Sequence, residues 1–164
     1  MRIKNVCIIV LLVLAGCSIM GGVQGSLDRA NTYYEADRYD DALKEYNSIL
    51  LEDPNNVEAH FRRAVIFQKQ KNYDLAIQEY NETIRLDPSH AKAHFNLGLL
   101  YSYDKVDYIK AIYFMERFIE LDPEHSYVPD AKKRIEDMKK EVYGGKEDEH
   151  GSGSLLDVTD ELSK

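Results

Sequence analysis

The apolar positions fall into three regimes along the chain. Val6 to Leu14 is an uninterrupted apolar run. From about residue 23 to 143 apolar side chains return at helical spacing, separated by short polar breaks. Beyond Gly144 the pattern thins into acids, glycines and serines. The stretch from Val57 shows the middle regime clearly. Ala59, Ala64, Ile66 and Phe67 give one amphipathic helix from Val57 to Lys71, Asn72-Tyr73-Asp74 breaks it, and Leu75, Ala76, Ile77, Tyr80, Ile84 and Leu86 resume helical spacing. Asp74 is a start signal for the second helix, and Asp87-Pro88 stops it, because a residue before proline avoids helical angles and proline suits the first turn of a following helix.

This helical pair is repeated. Tyr33, Phe67 and Tyr101 are spaced by 34 and 34, and Ala42, Ala76 and Ala111 by 34 and 35. Leu51-Glu52-Asp53-Pro54, Leu86-Asp87-Pro88 and Leu121-Asp122-Pro123 close three copies, at 23–56, 57–90 and 91–125. The extra residue of the third copy belongs to the turn around Asp104 and Asp107, where it lengthens a loop without shifting a helix. The period and residue types resemble the tetratricopeptide repeat. That resemblance implies an all-α, right-handed superhelical solenoid of helix-turn-helix units, with Ala30, Ala64 and Gly98 where its two helices come close. Residues 126–143 form one more helix, with Val128, Ala131, Ile135, Met138 and Val142 inward and Lys132, Lys133, Arg134, Lys139 and Lys140 outward. A solenoid end needs a polar outer face, so this helix is the cap. Residues 144–164 are expected to be a flexible acidic tail, since they hold too little apolar surface to fold alone; Leu155, Leu156, Val158 and Leu162 leave a short docking helix as the alternative.

The N-terminus carries a different message. Arg2 and Lys4 precede the Val6–Leu14 run, and small residues follow it, which is the pattern of an export signal. The run is short of the roughly 20 apolar residues that a resident membrane helix needs. Leu14-Ala15-Gly16-Cys17 resembles the lipobox of bacterial lipoproteins, which implies a signal peptide over 1–16, a diacylglycerol and an acylated amine on Cys17, and a lipidated linker over 17–22. More than one acyl chain makes such an anchor stable. Ser18 follows the cysteine where inner-membrane lipoproteins of Gram-negative bacteria often carry aspartate, so the resemblance favours the outer membrane, facing the periplasm. The remaining cysteine, Cys7, lies inside the discarded segment, so the exported part has no thiol for a disulfide.

Composition narrows the partners. The chain has 21 Lys and Arg against 29 Asp and Glu, a formal charge of -8. Nucleic acid is therefore excluded as a principal partner, because phosphate binding depends on clustered cations. Phosphate loops, nucleophile elbows, His-Glu-x-x-His and paired cysteines are all missing from the sequence, which disfavours an enzyme or small-ligand receptor. His90 and His94 are four apart, but His94 has a counterpart one period earlier in His60, and packing accounts for that recurrence better than a metal. No cofactor is expected apart from the covalent lipid.

What remains is a surface. The family resemblance implies a concave groove lined by the first helix of each copy: Gln24, Leu27, Asn31 and Tyr34, then Glu58, Phe61, Val65 and Gln68, then Lys92, Phe95, Leu99 and Ser102. Leu27, Phe61 and Phe95 make an apolar column, and Arg62, Lys92 and Asn96 supply donors beside it, a floor suited to an amphipathic helix or an extended apolar peptide. Relatives that clamp a peptide carboxylate use lysine and asparagine at positions matched here by Asn31 and Lys92, whereas Leu27 replaces a clamp lysine and Arg62 and Asn96 stand interchanged. The implied function is a lipid-anchored, noncatalytic adaptor for periplasmic or outer-membrane proteins, as in pilus and secretin assembly. A self-associating, homo-oligomeric scaffold is the alternative.

Overall fold

The structure, a computed structural model, describes residues 24–104 and 106–144. Seven helices account for most of them: α1 over 24–35, α2 (Tyr39–Glu52), α3 (Val57–Lys69), α4 (Tyr73–Leu86), α5 (Ala91–Tyr103), α6 (Tyr108–Leu121) and α7 (Val128–Tyr143). No strand occurs among the described residues. Successive helices pack on one another from α2 through α7, and α1 joins through Ala30, which meets Ala42 and Tyr46 of α2 in one fully buried cluster. The result is a helical solenoid of three helix pairs closed by α7. The signal segment, the linker, Cys17 and the tail from 145 onward lie outside the described residues.

Small residues make the close packing possible. Ala64 and Ala76 of the middle pair are fully buried, as is Ala111 opposite Gly98 in the third. A Cβ on Gly98 would stand 2.6 Å from Met115 Cγ and 3.3 Å from the Met115 nitrogen, so even one methyl crowds that crossing.

Turns within each pair obey one rule. The chain leaves the first helix through a left-handed residue, Asp37 (φ 56°), Lys71 (φ 61°) or Val106 (φ 51°). Lys71 is therefore turn and not helix. α3 ends at Lys69 and α4 starts at Tyr73, each two residues earlier than the bounds that periodicity predicts. The third copy's additional residue does fall in this turn: α3 and α5 both have 13 residues, and α4 and α6 both have 14.

Turns between pairs repeat as well. The carbonyls of Asp53, Asp87 and Asp122 accept from the backbone nitrogens of Asn56, His90 and His125, at 3.1, 3.1 and 3.2 Å. Asn56 Oδ1 then caps α3 by accepting from the Ala59 nitrogen at 3.1 Å, and His90 Nδ1 caps α5 by accepting from Ala93 at 3.2 Å. Pro88 thus lies in the turn rather than in the first turn of α5, where the cap is His90. His60 and His94 have the packing role expected of them: each Nε2 donates to a proline carbonyl six residues back, Pro54 at 3.0 Å and Pro88 at 3.1 Å.

The cap departs from expectation at Lys139 and Arg134; Lys139, half-buried, donates from Nζ to Glu116 Oε1 of α6 at 2.8 Å. Val128, Ala131, Ile135 and Met138 are buried as predicted. Arg134, however, is not simply outward: it lies half-buried, with its guanidinium 5.0 Å from the Tyr103 ring centroid and its Nε donating to Asp130 Oδ2 at 2.7 Å.

Candidate functional site

The first helices α1, α3 and α5 bring the predicted groove residues side by side, but the side chains divide into floor, rim and core. Phe61 is core. It is 8% exposed, its ring 4.6 Å from His90 and 5.9 Å from Tyr80. Phe95 is half-buried, tilted against Phe118 at 4.8 Å and stacked with Tyr127 at 5.4 Å, so the residue before the cap helix covers one face of it. Leu27 packs on the Ala30–Tyr46 cluster. The apolar column expected to grip a partner is therefore largely spent on packing within and between repeats. Val65 and Leu99 are half-buried beside it, and Lys92 is exposed.

The polar groove residues are engaged in a way that periodicity does not reveal. Tyr46 and Tyr80, fully buried on the second helices, reach through to the first. The Tyr46 hydroxyl donates to Asn31 Oδ1 at 2.6 Å. The Tyr80 hydroxyl donates to Gln68 Oε1 at 2.7 Å and accepts from Asn96 Nδ2 at 3.0 Å. Burial pushes the Tyr46 phenol up to about 12 and the Tyr80 phenol higher still, so both stay protonated and able to donate. Asn31, Gln68 and Asn96 are consequently oriented side chains and not swinging ones. The signal was present in the sequence, since Tyr46 and Tyr80 are one period apart, but their apolar rings conceal the role of their oxygens.

Cations laid over tyrosines form the rim. Arg62 donates from Nε to Glu58 Oε1 at 2.5 Å, and its guanidinium lies 5.6 Å from the Tyr34 ring centroid. Lys69 Nζ lies 5.9 Å from the Tyr34 ring and 5.8 Å from that of Tyr39. These tyrosines hold the Lys69 ammonium above its ordinary pKa, Tyr34 foremost. Tyr103 and Arg134 repeat the arrangement at the other end, where Ser102, Tyr103, Tyr108, Arg134, Asp137, Met138 and Glu141 line a cleft of about 260 Å³ between α5, α6 and α7. Lys69, Tyr103 and Arg134 are absent from the predicted groove. Lys69 and Tyr103 follow Gln68 and Ser102 by one residue and are 34 apart, a spacing that could have found them.

Among the described residues, no group of three His, Cys, Asp or Glu side chains is placed to hold a metal, and no helix is long and apolar enough to cross a membrane.

Comparison with known proteins agrees with this geometry. No curated protein sequence matches the chain. Solved structures do. The Arabidopsis OM64 TPR domain is 19% identical, covering 73% of this chain and 98% of its own, with a TM-score of 0.66. The first TPR of Spaghetti (RPAP3), bound to the HSP90 peptide SRMEEVD, is 22% identical over 73% of this chain and 92% of its own, with a TM-score of 0.63. The Yersinia enterocolitica type III secretion chaperone SycD, in complex with a peptide of the translocator YopD, is 19% identical over 77% and 96%, with a TM-score of 0.64. A tetratricopeptide-repeat model matches at residues 27–91 and again at 67–126, and the chain belongs to that family.

Proposed function

We propose that this protein is a noncatalytic adaptor, exported and anchored by lipid on Cys17, whose concave face takes a peptide segment of an envelope partner. Protein interaction is the general business of the repeat family. Two of the similar structures hold peptides, one from HSP90 and one from a secretion translocator. The observation that carries the reading for this chain is the groove itself. Its amides are fixed from behind by two buried tyrosines, and its cations lie over Tyr34 and Tyr103, which leaves a preorganised polar floor between half-buried Val65 and Leu99. Preorganisation lowers the entropic cost of binding a flexible segment. The lipobox supports the anchor. Ser18 supports an outer-membrane address, and small lipoproteins with this repeat that help pilus secretins assemble supply the analogy for its role.

Two variants test the two halves of this reading. Cys17→Ala is expected to abolish fatty-acid labelling and leave an uncleaved or soluble precursor; unchanged labelling and fractionation would remove the anchor. Lys92→Glu, at an exposed groove position, is expected to keep helical circular dichroism and melting while changing the proteins captured by crosslinking in cells. An unchanged set, altered instead by substitutions on the opposite face, would move the binding site away from the groove. Light scattering that shows mass rising with concentration would favour self-association.

A further inference from the structure

The cap helix carries opposite charge on its two flanks. On one, the cleft beside Tyr103 holds Arg134 against the carboxylates of Asp137 and Glu141. On the other, a cleft of about 460 Å³ is lined by Lys132, Ile135, Glu136, Lys139, Lys140 and Tyr143. That is three ammoniums to one carboxylate, in a chain whose formal charge is -8. None of the predicted groove residues lines it. Two of its lysines are answered in part, Lys139 by Glu116 of α6 at 2.8 Å and Lys140 by Glu136 at 2.9 Å. Lys132 is exposed and has no ion-pair partner among the described residues. The flank therefore holds a surplus of positive charge.

Such a flank selects carboxylates, and the sequence supplies them at the cleft's own end. Gly144 lines the cleft, and the chain runs on as Gly145-Lys146-Glu147-Asp148-Glu149. Residues 145–164 hold six acids against two lysines. A helix rises about 1.5 Å per residue, which puts Lys132 about 18 Å from Gly144 along α7. An extended chain covers about 3.4 Å per residue, so the acids at 147–149 reach every lysine of the flank with no helix displaced. Two successive glycines permit the reversal. A segment on so short a tether has an effective concentration on the order of millimolar, enough for several contacts that are each weak in water to act together. We propose that the acidic run Glu147-Asp148-Glu149 of this chain folds back along α7 and binds the lysine flank, closing the α7 end of the solenoid. An acidic segment of another protein has to displace the run to use that surface. The contact is independent of what the groove binds.

The test is zero-length carbodiimide coupling of the full chain, in an equal mixture of light and heavy-isotope protein so that links within one chain are told from links between two. Mass spectrometry is expected to find Glu147, Asp148 or Glu149 joined to Lys132 several-fold more often than to Lys133. Lys133 is the fair control, being its neighbour in sequence, also exposed, and outside the cleft. Equal yields at the two lysines, or a preference for Lys92 in the groove, overturn the proposal. Links that join light to heavy chains assign the run to a second copy and overturn it as well. Raising the salt from about 0.1 M to about 1 M shortens the screening length from about 10 Å to about 3 Å and is expected to remove the preference; a preference that survives refutes its electrostatic basis. Lys132→Glu with Lys140→Glu is expected to abolish the links. Adding Glu147→Lys, Asp148→Lys and Glu149→Lys to that background should restore them with the charges reversed, and a reversed set that does not link overturns the proposal. Circular dichroism checks that the α7 variants keep their helix. If they lose it, the neutral set Glu147→Gln, Asp148→Asn and Glu149→Gln carries the test: the backbone resonances of Lys132 and Ile135 should shift from their positions in the parent, and unchanged resonances overturn the contact.

Discussion

The middle and third helix pairs have the same helix lengths and opposite interiors. Across the middle pair runs a polar seam. Arg63 Nη2 lies 3.1 Å from Glu79 Oε1, and His60 Nδ1 lies 2.7 Å from Glu79 Oε2, with the Tyr80 node beside them. The first pair has a paler version of the seam, Arg29 with Glu45 at 3.0 Å. In the third pair the matching positions are Leu97, Phe114 and Met115, and His94 faces the Phe114 ring at 6.0 Å in place of a carboxylate. One backbone tolerates both interiors because the small residues at the crossings, Ala64 with Ala76 and Gly98 with Ala111, set the helix separation. The remaining seam positions are then open to polar or apolar chemistry provided the space is filled and the polar groups are paired.

If the third pair lives on apolar burial alone, its core should be the costliest place to cut. Phe118 is fully buried, and Phe118→Ala is expected to cost about 3–5 kcal/mol, read as a fall in the urea midpoint. A loss no larger than that of an exposed substitution would show that the cap, not the seam, holds this end.

The polar seam should behave as a coupled unit. Glu79→Phe leaves a part-buried Arg63 without its carboxylate, and Arg63→Leu leaves Glu79 with His60 alone, an expected cost of about 1–3 kcal/mol each. The double variant recreates the third pair's chemistry and is expected to recover most of it, since replacing a buried ion pair by fitting apolar groups is often neutral. A double-mutant cycle gives the coupling directly. Additive losses would mean that the seam's polarity is required by the backbone and not merely tolerated.

The pH dependence of stability reports on the surroundings of His94. His94 is 4% exposed, its Nδ1 has no hydrogen-bond partner, and burial holds its pKa below the ordinary histidine value, with Arg117 and His90 adding repulsion against the opposing pull of Asp87. Because the unfolded chain takes up the proton first, this residue's contribution is complete above the unfolded histidine pKa of about 6.5 and is lost as pH falls below it. Melting temperature should drop from pH 7 to pH 5 more steeply in the parent than in His94→Gln.

The smallest effect lies in the turns. Val106 is the β-branched member of the three left-handed turn residues and is exposed, so its conformation is strained where those of Asp37 and Lys71 are less so. Val106→Asn is expected to raise stability by a few tenths to about 1 kcal/mol in thermal unfolding. The same change at Lys71 should do less.

Much of this was legible in one dimension. The period of 34, the three Asp-Pro turns, the small residues at 30, 64 and 98 and the loop-lengthening extra residue all follow from local rules, because each is a steric or conformational demand that a residue type meets by itself. The break between α3 and α4 lies two residues earlier than periodicity places it, since nothing local announces that Lys71 turns left-handed.

The groove was the harder part, and there the tertiary structure decided. Helical spacing says which face of α3 Phe61 occupies, but whether that ring is offered or covered depends on Tyr80 in the next helix and on His90, 29 residues on. Arg134 looked like a solvated cation until Tyr103, from another helix, came beneath it. Asn31, Gln68 and Asn96 read as donors and acceptors of either kind until buried hydroxyls took one end of each. The sequence by itself determined the repeat, because each unit's shape is encoded within its own 34 residues. Only packing determined the surface, because exposure and the orientation of an amide belong to neighbours far away along the chain.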